Sequence, residues 1–147
     1  MHADAADRRL RLDVREVQVP DAGRAAVAAL VSTWEFKRRA GFGTPEGTPS
    51  AGARGVLTKR LLGIRFAEPI QVTWASDRGF GYRAMPGHPL VGEESFALDE
   101  NGVFSARSTS RPASLIWWLA YPALRVLQWS THRRYIRIVL AEAATSR

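Results

Sequence analysis

Apolar positions change spacing along the chain, and each change predicts an element. Leu10, Leu12 and Val14 alternate with Arg9, Arg11, Asp13 and Arg15, the signature of a half-buried strand. The phase slips at Glu16, and Val17 and Val19 then fall on the other face. Pro20-Asp21 stops the strand, with Asp21 the expected helix cap. Val27, Leu30, Val31 and Trp34 follow at helical spacing and form one apolar stripe of a helix that ends near Gly41. Residues 41–55 hold five Gly and two Pro and read as a loop. At this length such a loop is often functional or mobile.

Four strand-like segments come next. Gly55–Leu62 is the weakest. Ile70, Val72 and Trp74 alternate with polar residues, Phe80 and Tyr82 share a face, and Glu94, Phe96 and Leu98 share another. Asn101-Gly102 marks a hairpin, with Val103–Thr109 as the return strand. Pro112 suits the first turn of a short apolar helix, and Pro122 must break or kink the chain after it. Beyond Pro122, Leu124, Leu127, Thr131, Tyr135 and Ile138 line one face of a long helix. The stretch from Ala113 to Trp129 is short for a membrane span and contains Pro122, Arg125 and Gln128, so a helix packed on a sheet explains it better. Strand, helix, strand meander and long helix together predict one α+β domain over 1–147, with 1–8 a disordered tail.

The 147 residues include 21 Lys and Arg against 14 Asp and Glu, a net charge of +7. Such a surface could suit nucleic acid or an anionic membrane, but no nucleic-acid motif accompanies it, and a solvated basic exterior is the plainer reading. No cysteine is present, which excludes disulfides and thiolate chemistry. The three histidines have no ligand spacing, and no Gly-rich phosphate loop joins a strand to a helix, so neither metal nor nucleotide cofactor is expected. The first eight residues carry no apolar run, so a cytoplasmic protein is expected.

One stretch is more specific: Gly79-Phe80-Gly81-Tyr82-Arg83-Ala84-Met85-Pro86-Gly87-His88-Pro89, then Gly92-Glu93-Glu94-Ser95-Phe96, Ser110-Arg111-Pro112, Tyr121-Pro122, Gln128 and Arg134-Tyr135. It resembles the DUF-nineteen-ninety family of domains of unknown function, although Arg83-Ala84-Met85 stands where that pattern has Gly-Thr-Leu. The family in turn resembles the START-like, or helix-grip, superfamily. The resemblance implies a curved antiparallel sheet wrapped around a long C-terminal helix, with a gap between them that often holds an apolar ligand.

The motif residues admit structural and functional roles. His88, in a constrained Pro-Gly-His-Pro connection, either holds the loop or shuttles protons. Glu94, in phase with Phe96, points inward and either pairs with Arg83 or Arg111 or works as an acid or base. Arg111 could bind an anionic group, and Ser110 could cap the following helix. Gln128 interrupts an apolar face and would hydrogen-bond a ligand or a sheet carbonyl. Trp74, Trp117, Trp118 and Tyr135 read as core. The first function expected is binding of a small apolar or amphipathic ligand, lined by Tyr82, Arg83, His88, Glu94, Arg111 and Gln128. Proton-transfer catalysis by His88 and Glu94 is the second. A basic surface that binds nucleic acid or anionic membrane is the third.

Overall fold

The computed structural model describes residues 10–61 and 63–145. The tail expected at 1–8 lies outside the described residues. Six strands, β1 (Arg11–Gln18), β2 (Arg54–Leu61), β3 (Ile64–Ser76), β4 (Gly79–Ala84), β5 (Leu90–Leu98) and β6 (Val103–Pro112), form one antiparallel sheet. Its order is β1-β6-β5-β4-β3-β2, a meander from β2 to β6 whose far edge is completed by the first strand. Two short helices, α1 (Arg24–Val31) and α2 (Glu35–Arg39), join β1 to the loop before β2. A five-residue α3 (Leu115–Leu119) and the 25-residue α4 (Tyr121–Thr145) close the chain. This is the helix-grip arrangement, a curved sheet holding a long C-terminal helix.

The core lies between the sheet's inner face and α1, α2 and the C-terminal half of α4. Phe80, Phe96 and Phe104 of the sheet meet Phe36 and Trp34 of the helical segment and Tyr135 of α4. Strand alternation selects these positions, because inward residues recur every second place. Phe104, Ala106, Ser108 and Ser110 of β6 are buried while Arg107 is exposed. Pro122 separates α3 from α4 as expected, since its ring cannot follow a helical turn but fits the first turn of a new one.

Several expectations are corrected. Leu12 is 54% exposed, and the inward residues of β1 are Asp13, Arg15 and Val17, which pair with Ser108, Ala106 and Phe104. β1 is an edge strand, and the helix opposite it presents Arg125, Trp129 and His132, so polar side chains fit there. Asp21 caps nothing; it pairs with Arg24 at 2.8 Å, in a 3-10 turn that leads into α1. The helix expected to run to Gly41 is broken at residues 32–34. Pro112 ends β6 rather than opening a helix, and α3 begins three residues later at Leu115. Ser114 precedes that helix without a side-chain cap bond, so Ser110 is not its cap.

The inner face of α4 is also rotated from the expected one. His132, Tyr135, Val139 and Ala143 are buried, while Leu124, Leu127, Thr131 and Ile138 are half-buried at its margin. Trp74 is not core. It lies on the outer face over Gly81, where a Cβ would strike the indole, which explains the Gly between Phe80 and Tyr82. Among the described residues, no helix is long and apolar enough to cross a membrane.

Candidate functional site

Fixed positions on four elements bring ionisable groups together beneath α4. Lys37 of α2 is fully buried, beside the equally buried Phe36. Its ammonium donates to the Tyr135 hydroxyl at 2.6 Å and the Tyr82 hydroxyl at 3.0 Å, and lies 4.0 Å from a Glu94 carboxylate oxygen. The Tyr82 hydroxyl donates to the other Glu94 oxygen at 2.9 Å. A buried ammonium and a carboxylate are thus bridged by phenols, which compensates the two charges within the protein. The Phe42 ring lies 3.7 Å from Lys37 Nζ and adds a cation–π contact. The 41–55 loop supplies that ring, and it is anchored by a bridge between Gly43 and Thr58.

Below this cluster lies a cavity of about 90 Å³ between β2, β3, β5 and the N-terminal half of α4. Phe42, Leu90, Leu124 and Leu127 supply its apolar wall. Lys59, Glu68, His88, Glu94, Gln128 and His132 supply polar groups. A smaller lobe of about 30 Å³ shares His88, Leu90, Glu94 and Gln128 with it. Lys59 donates to the Thr131 hydroxyl at 2.7 Å. His88 Nδ1 accepts the Leu90 N–H at 3.0 Å, and its Nε2 lies 3.7 Å from Glu68. With Nδ1 occupied as acceptor, a neutral His88 carries its proton on Nε2, facing Glu68.

The surroundings drive the charges apart. Burial lowers the Lys37 pKa, and Glu94 partly offsets this. Burial pushes the Glu94 carboxyl up, but Lys37, His132 and the two tyrosine hydroxyls outweigh it and hold Glu94 below its usual range. Burial raises Glu68 despite the nearby Lys37. Lys59 is lowered to about 8, first by burial and then by Lys37. Burial also lowers His88, to about 4. Two carboxyls with opposite shifts in one cavity are a pattern that acid–base sites use.

The His88 shift has a definite pH consequence. Unfolded His88 titrates near 6.5 and folded His88 near 4. Between those values the unfolded chain holds the extra proton, so stability must fall as pH drops from about 6.5 to about 4. The expected loss is up to about 3 kcal/mol, and His88→Asn should flatten that part of a urea-midpoint against pH curve. An unchanged slope in the variant would mean that His88 is not held neutral.

Of the residues expected at the site, Tyr82, His88, Glu94 and Gln128 gather around the cavity and its smaller lobe. Arg83 and Arg111 do not. Arg83 is exposed on the outer face and holds Gln71 Oε1 at 2.6 Å, while Arg111 shares the outer side of β6 with Arg107. Neither partners Glu94; Lys37 takes that place. Gln128 donates to the Ser108 and Ser110 hydroxyls, at 3.3 and 3.2 Å, rather than to a sheet carbonyl.

Lys37, Lys59, Glu68 and His132 do not stand out in the sequence, although the signal lies in their phase. On the single helix expected from the sequence, Lys37 would continue the stripe of Val27, Leu30 and Trp34 by three residues. Lys59 and Glu68 sit two places from the buried Leu57 and Ile70. Among the described residues, no group of three or more His, Asp and Glu side chains could hold a metal ion.

The sheet, the long helix and the gap between them define a helix-grip protein. Residues 6–138 match the family model "Domain of unknown function (DUF1990)", and the chain belongs to that family. A sequence comparison with curated proteins finds no match. Among solved structures, it is similar to the di-domain ARO/CYC protein StfQ from the steffimycin biosynthetic pathway. That likeness has a TM-score of 0.64 at 16% identity and covers 97% of this chain and 53% of that one. It is also similar to protein Ms6760 from Mycobacterium smegmatis, with TM-score 0.62, 12% identity, and 96% and 94% of the two chains covered. A third is major latex-like protein 151 from Panax ginseng, with TM-score 0.57, 9% identity, and 89% and 97% covered. At these identities the likeness establishes the fold.

Proposed function

We propose that the protein binds a small amphipathic molecule in the cavity between the sheet and α4. The observation that carries this is the two-sided lining. Leu90, Leu124 and Leu127 offer an apolar wall, and Lys59, Glu68 and His88 offer polar groups within the same 90 Å³. An apolar cavity of roughly 150 Å³ accepts benzene, so this smaller, polar-lined space suits a compact molecule or the head group of a longer one. Lys59 is mostly protonated at neutral pH and suits an acceptor oxygen. The Nε2–H of His88 and the amide of Gln128 supply further hydrogen bonds. The ARO/CYC proteins and the latex-like protein share the fold and are compatible with ligand binding, without indicating which ligand.

Native mass spectrometry of the purified chain tests this. A bound small molecule is expected, released on denaturation, and Leu127→Trp should remove it by filling the cavity. A bare wild-type mass, together with no uptake of phenol or butyrate, would sink the reading.

A second reading, proton transfer on such a ligand, is favoured by His88 and Glu94 lining one common cavity. The electrostatics move the working carboxyl from Glu94 to Glu68. Glu94 is committed to Lys37 and the tyrosines, whereas Glu68 has its pKa raised by burial and faces the His88 Nε2.

A further inference from the structure

The polar site leaves α3 unexplained. Leu115, Ile116 and Leu119 are 76%, 75% and 80% exposed, and Trp118 lies among them. Only Trp117 turns inward, its ring 6.0 Å from Phe66. Val126 extends the exposed apolar surface onto the outer face of α4, and Trp129, half-exposed at the edge over β1, borders it. A contiguous patch of this kind normally marks an interaction surface.

Charge distinguishes between possible occupants. From Asn101 to Ala141 the chain holds six arginines and no Asp, Glu or Lys; Arg125, Arg133, Arg134 and Arg137 lie on α4, whereas Arg107 and Arg111 lie on the outer side of the sheet. Arg111 precedes α3 by four residues, and Arg125 follows it by six. The Arg133 guanidinium lies 4.7 Å from the Trp129 ring centre, joining the basic and aromatic surfaces. Arg134 donates to the Ala40 carbonyl, and Arg125 is half-buried beside Asp13 and Arg15 of β1.

We propose that α3 and the adjoining outer face of α4 dock on an anionic lipid bilayer, with Leu115, Ile116, Trp118 and Leu119 entering the interface and Arg133 and Arg137 contacting lipid phosphates. Exposed Leu, Ile and Trp beside an acid-free basic stretch have the composition of an interfacial anchor. A second copy of the chain fits poorly, because a two-fold interface through this face would bring Arg133 and Arg137 against their own copies. Nucleic acid would use the arginines but leave the aliphatic side chains of α3 in water. The proposal does not depend on the cavity's ligand. The cavity binds from the inner face of α4, whereas docking uses α3 and the outer face.

Co-sedimentation of the full chain with vesicles tests it. Wild type should bind vesicles of equal phosphatidylcholine and phosphatidylglycerol, bind pure phosphatidylcholine weakly, and release as salt rises. Leu119→Asp should weaken binding about tenfold or more, and Arg133→Glu several-fold. Both residues are exposed, so circular dichroism should be unchanged in both variants. Absence of binding at low salt, equal binding to both vesicle types, or wild-type binding by Leu119→Asp would each overturn it. So would a wild-type dimer in sedimentation that Leu119→Asp dissolves, which would assign the patch to a second copy.

Discussion

Lys37→Ala is expected to lower the unfolding free energy by about 3–5 kcal/mol, because it strands a carboxylate in the protein interior. Lys37 is fully buried, and its hydrogen bonds run through Tyr82 and Tyr135 toward Glu94. Removing the ammonium leaves Glu94 to protonate or to draw in water, and both phenols lose a donor. The ion pair itself contributes little net stability, since both charges were desolvated to form it. The double change Lys37→Met with Glu94→Gln should therefore recover at least about half of the loss. Urea denaturation of Lys37→Met, of Glu94→Gln and of the double closes the cycle. A nearly neutral Lys37→Ala would mean that the cluster is not charged in the folded state.

Phe96→Ala should cost a similar amount, about 3–5 kcal/mol, through loss of burial and an unfilled cavity. Phe96 is fully buried and packs its ring edge-on against Phe36 and Tyr135, with centroids 5.0 and 4.9 Å away. It joins the sheet to α2 and to α4, so the loss should be visible as a large drop in denaturation midpoint. Leu12→Ala is the control, expected to change stability by less than about 0.5 kcal/mol because the side chain faces solvent. Comparable losses in the two variants would reverse the assignment of inner and outer faces of β1.

These two residues illustrate how far the sequence is legible. Phe96 is readable because Glu94, Phe96 and Leu98 repeat every second place on a central strand, where one face must be buried. Leu12 misleads because an edge strand shows the same alternation whichever face is covered, and its neighbours on α4 are polar. The fold is visible in periodicity, the Asn101-Gly102 turn and Pro122. The inward position of Glu94 is visible in its strand phase. Its partner is not, because Lys37 lies 57 positions away in a basic run that reads as solvated surface. The arginines nearest Glu94 in sequence alternate to the outer face. Charge type alone suggests Arg83 and Arg111. Long-range pairing of this kind depends on how α2 settles against the sheet, which spacing within one element does not encode.

The cavity between Leu127 of α4 and the polar groups of the sheet is expected to take a compact amphipathic molecule. Two-dimensional NMR of the labelled chain titrated with phenol and with butyrate tests this most directly. Saturable shifts should centre on His88, Leu90, Leu127 and Gln128, leave the outer-face Arg83 and Arg111 unmoved, and disappear in Leu127→Trp. Shifts confined to α3, or no saturable shift with either probe, would contradict it.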